Sequence, residues 1–281
     1  MAENLSVFCA KDVSFKSEMI PIDNRVSLKL IIFTPPAKNN NPAIVFIPGW
    51  ISLIDGWSDV LQEMTKDFTV YYLETREKIS SQISGNADIS VEAIGKDIVN
   101  LISKLNLKTN EYILFGSSLG ASAILDCAYF LNEKPLCLVL IGPNAVIKIP
   151  RFGIFLLNLF YPPLYNFCKP YVKWYLKNFR LNTKDDNEQY LKYCNTLDAA
   201  DPWKLKKAAL ALSKYSVWNS LSSINIPSLL IGASKDKIHE PGNLRKIVSM
   251  LKHSTNTDLG TNKETHSKKV VEEMRKYLAG L

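Results

Sequence analysis

Histidine is scarce in this chain. His239, His253 and His266 are the three in 281 residues, so chemistry that needs an imidazole has three candidates. Cysteine is sparse as well: Cys9, Cys127, Cys137, Cys168 and Cys194. They are odd in number, widely spaced and form no Cys-x-x-Cys pair, which argues against a disulfide framework and against a zinc site. Reduced, mostly buried thiols are expected, as in a reducing cytosol. No apolar run reaches the roughly 20 residues of a membrane-spanning helix. The longest candidate, Ile154 to Tyr161, is short and contains Asn158. The first twelve residues lack a basic start and a long apolar core, so no signal peptide is expected and a cytoplasmic location is. There is no P-loop, no Gly-x-Gly-x-x-Gly after a first strand and no metal constellation, so no cofactor and no metal are expected.

What remains has the composition of a globular domain. Hydrophobic residues make up 47% and charged residues 22%, which excludes disorder and collagen-like or coiled-coil character. A chain of this length closes a core without disulfide or metal staples. Lys and Arg number 34 against 27 Asp and Glu, a net charge of +7. Such an excess suits an anionic partner if it is clustered and a plain basic surface if it is not.

Residues 12–33 alternate as two antiparallel strands around Pro21-Ile22-Asp23-Asn24. Ala43 to Ile47 is a short apolar run ending in Pro48-Gly49, the pattern of a strand buried on both faces. A helix at Ser58 to Lys66 and a strand at Thr69 to Leu73 follow. In Ser90 to Leu105, the residues Val91, Ile94, Ile98, Leu101, Ile102 and Leu105 form one helical stripe. Then come a strand (Glu111 to Phe115), a helix (Leu119 to Leu131) and a strand (Leu136 to Ile141). Helices and β-rich runs taking turns imply an α/β, doubly wound, mostly parallel sheet. The rhythm stops near Val146 and resumes with a strand at Ser228 to Ile231, a helix at Pro241 to Leu251, a weak strand at Thr255 to Leu259 and a closing helix at Ser267 to Leu281. Residues 1–145 and 221–281 therefore read as one core, and 146–220 as a helical insertion.

Gly116-Ser117-Ser118-Leu119-Gly120 matches Gly-x-Ser-x-Gly between an apolar strand and a helix rich in Ala and Leu. A sharp strand-to-helix turn needs small residues two before and two after its centre, and it exposes the central serine oxygen. The helix N-terminus adds partial positive charge that favours a developing anion. With these residues the sequence resembles the α/β-hydrolase superfamily along nearly its whole length. Ile47-Pro48-Gly49-Trp50 sits where that family has a His-Gly turn, with Pro in place of His. Leu73-Glu74-Thr75-Arg76-Glu77-Lys78-Ile79-Ser80 is similar to its Asp-x-Arg-Gly-x-Gly-x-Ser segment, keeping Arg76 and losing both glycines. Asp97 matches an acidic residue common in the preceding helix.

A serine hydroxyl needs a base, usually histidine. All three histidines follow Ser118, so chain order does not choose among them. The resemblance implies His266, in a polar loop directly before the last helix. It likewise implies that Asp236, in Gly232-Ala233-Ser234-Lys235-Asp236, orients the imidazole, with Asp258 as the competitor. The backbone amides of Leu119 and Trp50 would bind the oxyanion. A serine nucleophile argues against the dehalogenase and epoxide-hydrolase branches, which use Asp.

Between Ala145 and Thr183 there is no Asp or Glu, while Lys148, Arg151, Lys169, Lys173, Lys177 and Arg180 are present. In Tyr171 to Arg180, the residues Val172, Tyr175, Leu176 and Phe179 form an apolar stripe beside a basic one. The resemblance implies a cap over the pocket, whose apolar faces, Phe155 and Leu156 among them, would meet an apolar acyl or aromatic substrate. A packed cap with a solvated lysine face is preferred here to docking on a membrane surface, and nucleic acid is not expected. The implied reaction is serine-dependent hydrolysis of a carboxylic ester or related acyl bond. Thioester hydrolysis, monoacylglycerol lipolysis, acyl transfer and C–C hydrolysis use the same constellation. A non-catalytic ligand-binding protein of the same fold is the rival of a different class.

Overall fold

A computed structural model of the chain describes residues 4–37, 40–146, 151–180, 187–235 and 241–281. Strands β1 (Ser14–Pro21) and β2 (Val26–Thr34) form the expected antiparallel hairpin, in register from Ser14 opposite Thr34 to Pro21 opposite Ser27. β3 (Ala43–Ile47), β4 (Val70–Leu73), β6 (Tyr112–Ser117), β7 (Cys137–Ile141), β8 (Ser228–Gly232) and β9 (Ser254–Asp258) are mutually parallel. A short β5 (Gln82–Ile83), with no signal in the pattern, pairs with β2. The sheet order is β1-β2-β4-β3-β6-β7-β8-β9, with β2 antiparallel to β4.

Alternate strand residues face opposite sides, and both sides are covered. Leu30, Ile32, Val45, Ile47 and Leu114 pack with helices α2 (Val91–Lys104), α3 (Leu119–Cys127) and α8 (Pro241–Met250). Ile31, Phe33, Ile44, Phe46 and Phe115 pack with α1 (Ser58–Met64) and α9 (Lys269–Leu278). This two-sided burial is why the inner parallel strands read as continuous apolar runs, whereas the exposed edge strand β9 is polar throughout. The α2 stripe is buried as its spacing predicts, and Ser90 caps the helix by accepting from the Ala93 amide at 3.1 Å.

From β3 the chain winds outward to β4, and from β6 it winds the other way to β7. The carboxyl ends of β3 and β6 therefore flank the point where connections diverge and leave a crevice. Between β7 and β8 the chain makes a helical excursion: α4 (Arg151–Leu159), α5 (Tyr165–Tyr175), α6 (Asn187–Ala199) and α7 (Pro202–Leu212). It leaves and returns at one place, where Val146 bridges Ser216 and the Val217 amide donates to Ala145 O at 3.0 Å. The helix expected at Tyr171 to Arg180 starts earlier, at Tyr165, and widens into a π-helical turn over Leu176–Arg180.

Candidate active site

Ser118 stands between β6 and α3 with φ +48° and ψ −108°. A non-glycine residue there is strained by about 1–3 kcal/mol and persists only when its surroundings fix it. The Ser118 amide donates to Ile141 O at 2.8 Å, and the single Ser122 hydroxyl proton is shared between Ser118 O at 3.0 Å and Asn144 O at 2.8 Å. The flanking glycines are steric necessities. A Cβ on Gly116 would lie 2.8 Å from Ala121 N, and one on Gly120 would lie 2.7 Å from the Ile47 carbonyl carbon and 2.8 Å from Pro48 O. Small residues at these two positions let β6, α3 and the end of β3 approach one another. Leu119 is the first residue of α3, where backbone amides lack intrahelical acceptors.

Ser118, Trp50 and His266 line one cavity of about 260 Å³ at the crevice. Its apolar wall includes Leu53 and Trp57, and its other side includes Lys192, Asn195 and Thr196 from α6. The His266 ring lies over buried Trp57, with centroids 4.2 Å apart and planes at 33°. Trp57 is itself fixed by Phe46 and by its Nε1–H, which donates to Ser52 Oγ at 3.0 Å. His266 Nδ1 is 2.9 Å from Asn262 O. Thr265 Oγ1 lies 3.2 Å from the same nitrogen, and a neutral ring protonated at Nδ1 would satisfy Asn262 O and leave Nε2 as the acceptor.

Asp236 and His239 lie outside the described residues. The loop leading to Asp236 is described as far as Lys235, whose amide donates to Gly260 O at 2.8 Å. Ala233 shares a small cavity of about 20 Å³ with Asn262, Thr265 and His266. Asp258 is engaged by the backbone: its Oδ1 accepts from the Ser234 and Gly260 amides, each at 2.9 Å, and hydrogen bonds from Ser234 and Gly260 hold its carboxyl below the usual range. His253 lies elsewhere, its carbonyl accepting from the Ser228 amide.

A buried charged cluster supports the turn after β3. The Lys78 ammonium donates to Gly49 O at 2.7 Å and Ser52 O at 2.8 Å, and sits 3.4 Å from Glu77 Oε1. That same carboxylate oxygen accepts from the Ile51 amide at 3.3 Å and from the Thr75 hydroxyl at 2.8 Å. Ile51 has φ +49°, a conformation that a β-branched residue does not hold unaided. Lys78 and Glu77 thus clamp Gly49 to Ser52, the turn that carries Trp50. Burial pulls Lys78 below its ordinary value, against Glu77 and Glu74. From α7, Lys204 Nζ donates to Lys78 O, Ser81 O and Ser81 Oγ at 2.7–2.8 Å. Nearby, Arg76 binds Asp97 through two bonds of 2.5 and 2.6 Å, and reaches Asp23 and Asp88 O. Burial pushes the Asp97 carboxyl up, to about 6, against the pull of Arg76.

The strand order, the serine turn and the histidine before the last helix decide the architecture. The chain has the α/β-hydrolase fold. It superimposes on a bromoperoxidase from Bacillus anthracis with a TM-score of 0.76, at 16% identity over 94% of this chain and 100% of that one. An enol-lactonase from Burkholderia xenovorans gives 0.75, at 14% identity over 90% and 97%. A thermophilic esterase from Thermogutta terrifontis gives 0.74, at 15% over 95% and 98%. No protein-family model matches the chain, and no curated protein matches it in sequence.

Phe155 and Leu156, expected over the pocket, are exposed and are not among the residues lining this cavity. Its wall from the helical excursion comes from α6, whose polar residues carry no distinguishing pattern. Lys78 and Glu77 were equally silent in the sequence, since charged loop residues read as solvated. Trp50 Nε1 is buried with no hydrogen-bond partner among the described residues.

Proposed function

We propose that the chain is a serine hydrolase that cleaves a carboxylic ester, or a related acyl bond, of a small apolar substrate. The observation that carries this is the strained Ser118 lining one cavity with the His266 imidazole, whose Nδ1 lies 2.9 Å from Asn262 O. Ser118 Oγ attacks the acyl carbon and passes its proton to His266 Nε2. The Leu119 and Trp50 amides hold the tetrahedral oxyanion. On collapse the alcohol leaves with the proton from His266, giving the acyl-enzyme. Water then repeats the sequence, ending with the free acid and Ser118. Asp236 is assigned the acid that stabilises the imidazolium, because its loop begins beside His266 and Asp258 already serves the backbone. Residues 146–220 act as the cap, with α6 over the pocket. A cavity of about 260 Å³ is below the ~300–1,000 Å³ of drug-sized sites, which favours short acyl chains. The likeness to structures named esterase and enol-lactonase supports hydrolysis.

The test is labelling by a fluorophosphonate together with turnover of p-nitrophenyl esters of graded acyl length. Wild type is expected to label once per chain and to prefer short acyl groups. Ser118→Ala is expected to lose the label and about four or more orders of magnitude in kcat. His266→Ala should match it, and the double variant should be little worse. Full activity in Ser118→Ala refutes the mechanism, and no labelling of wild type favours the ligand-binding alternative.

A further inference from the structure

Twenty large hydrophobic side chains are exposed among the described residues, and thirteen of them lie between Phe152 and Trp203. They are ordered. On α4, Phe152, Phe155, Leu156 and Leu159 recur at i, i+3, i+4 and i+7, all exposed. On α5, Phe167, Tyr171 and Trp174 recur at i, i+4 and i+7, exposed by 83%, 66% and 50%. Tyr171 stacks on Trp174 at 5.5 Å, and Trp174 meets Phe179 edge-on at 5.5 Å, so the aromatic ladder is continuous. The opposite side of α5 is occupied. There Lys169 and Lys173 both bind Asp198 of α6, at 3.3 and 2.7 Å, and Tyr165 OH donates to Leu197 O at 2.8 Å. The ladder is therefore the side of α5 turned away from α6.

Charge singles out the same segment. Residues 146–220 hold twelve of the 34 Lys and Arg and five of the 27 Asp and Glu, an excess of seven positive charges. The other 206 residues hold twenty-two of each. The whole net charge of the protein belongs to the segment that also displays its apolar surface. A second copy is a poor occupant, since two segments of the same sign would meet. Tyr and Trp with an apolar body and a polar tip suit a water–lipid boundary.

We propose that the exposed α5 face forms a docking surface for an anionic lipid bilayer. The aromatic ladder enters the headgroup boundary and the positive excess draws the segment to acidic lipid. Because α5 packs on α6, and α6 lines the cavity, docking sets the cavity behind two helices, roughly 20 Å from the membrane. That this delivers substrate from the lipid rests on the hydrolase reading; the docking itself does not.

The test is co-sedimentation of the full chain with phosphatidylcholine vesicles, with and without phosphatidylserine, read alongside tryptophan emission. At about 0.1 M salt, wild type is expected to sediment with the anionic vesicles, and its emission to shift to the blue. It should bind neutral vesicles at least about tenfold more weakly, since each basic residue near the surface contributes roughly fivefold. At 1 M salt, where the screening length falls from about 10 Å to about 3 Å, much of the bound protein should be released. The triple variant Phe167→Ser, Trp174→Ser, Phe179→Ser should bind more than about tenfold more weakly, with an unchanged circular dichroism spectrum and melting temperature. Lys177→Gln should cost roughly fivefold. Wild type left in the supernatant overturns the proposal, as do equal binding to neutral vesicles and undiminished binding by the triple variant. Self-association in sedimentation velocity that the triple variant abolishes also overturns it, in favour of a second copy.

Discussion

Replacing Lys78 with Met keeps most of the side-chain volume and removes the ammonium. Three groups then lose a partner: Gly49 O, Ser52 O and the Glu77 carboxylate. Lys78 and Glu77 are 5% and 1% exposed, so water does not substitute freely. Removing one member of a buried ion pair costs about 3–5 kcal/mol, and each carbonyl left without a donor adds about 1–3 kcal/mol if it stays dry. The terms overlap, so a loss of at least about 3 kcal/mol is expected, from a total of about 5–15 kcal/mol. At about 2–4 °C per kcal/mol for a domain approaching this size, the melting temperature should fall by at least about 6 °C. Freeing the turn also displaces the Trp50 amide. An oxyanion donor is worth roughly 10²–10³ in kcat, so Lys78→Met should lose up to that factor with KM little changed, measured on a short p-nitrophenyl ester well below the melting point. The double variant Glu77→Gln, Lys78→Met separates the two effects. Without a stranded charge it should regain stability over Lys78→Met, yet its kcat should stay low because Gly49 O and Ser52 O still lack their donor. Wild-type kcat in Lys78→Met refutes the clamp, as does recovery of both stability and kcat in the double variant.

Further expectations concern the rest of the site and its frame. Asp236→Asn should lower kcat by orders of magnitude with an unchanged melting temperature, whereas Asp258→Ala should lower the melting temperature and spare kcat; the reverse pattern would exchange their roles. Gly120→Ala should fail to fold, because its Cβ meets backbone at Ile47 and Pro48, while Gly242→Ala, with open space around it, should be neutral or stabilising by up to about 1 kcal/mol by helix propensity. Asp126 is pushed up to about 6 by burial and by Glu92. A carboxyl with a raised folded value disfavours the folded state increasingly as pH rises from about 4 through 6. Asp126→Asn should therefore raise the melting temperature more at pH 8 than at pH 5, and equal gains at both would contradict the shift.

The middle of the sheet was legible because strands β3, β6, β7 and β8 are buried on both faces and α2 on one; apolar spacing encodes that directly. Ser118 was legible for a steric reason, since Gly116 and Gly120 are the residues that so crowded a turn admits. Periodicity says which residues share a face but not what covers it. Val172, Tyr175, Leu176 and Phe179 read as a packing stripe, yet Tyr175 and Phe179 are exposed. The clamp was illegible because Glu77 and Lys78 are adjacent charges in a loop, and only the approach of Gly49, Ile51 and Ser52 from elsewhere in the chain buries them. The pocket wall of α6 was hidden for the same reason, as Lys192, Asn195 and Thr196 are polar side chains on a helix without a strong apolar stripe.

Lys204 belongs to α7, yet its three bonds end on the loop whose other side fastens the Trp50 turn. The helical excursion and the turn that carries Trp50 are thus moored to one post. A pull that lifts α7 strips three acceptors at Lys78 and Ser81 together and loosens what lies behind them. Thermodynamic reciprocity applies to such a joint: whatever tightens the turn around a bound acyl group resists the lifting of α7 by the same free energy.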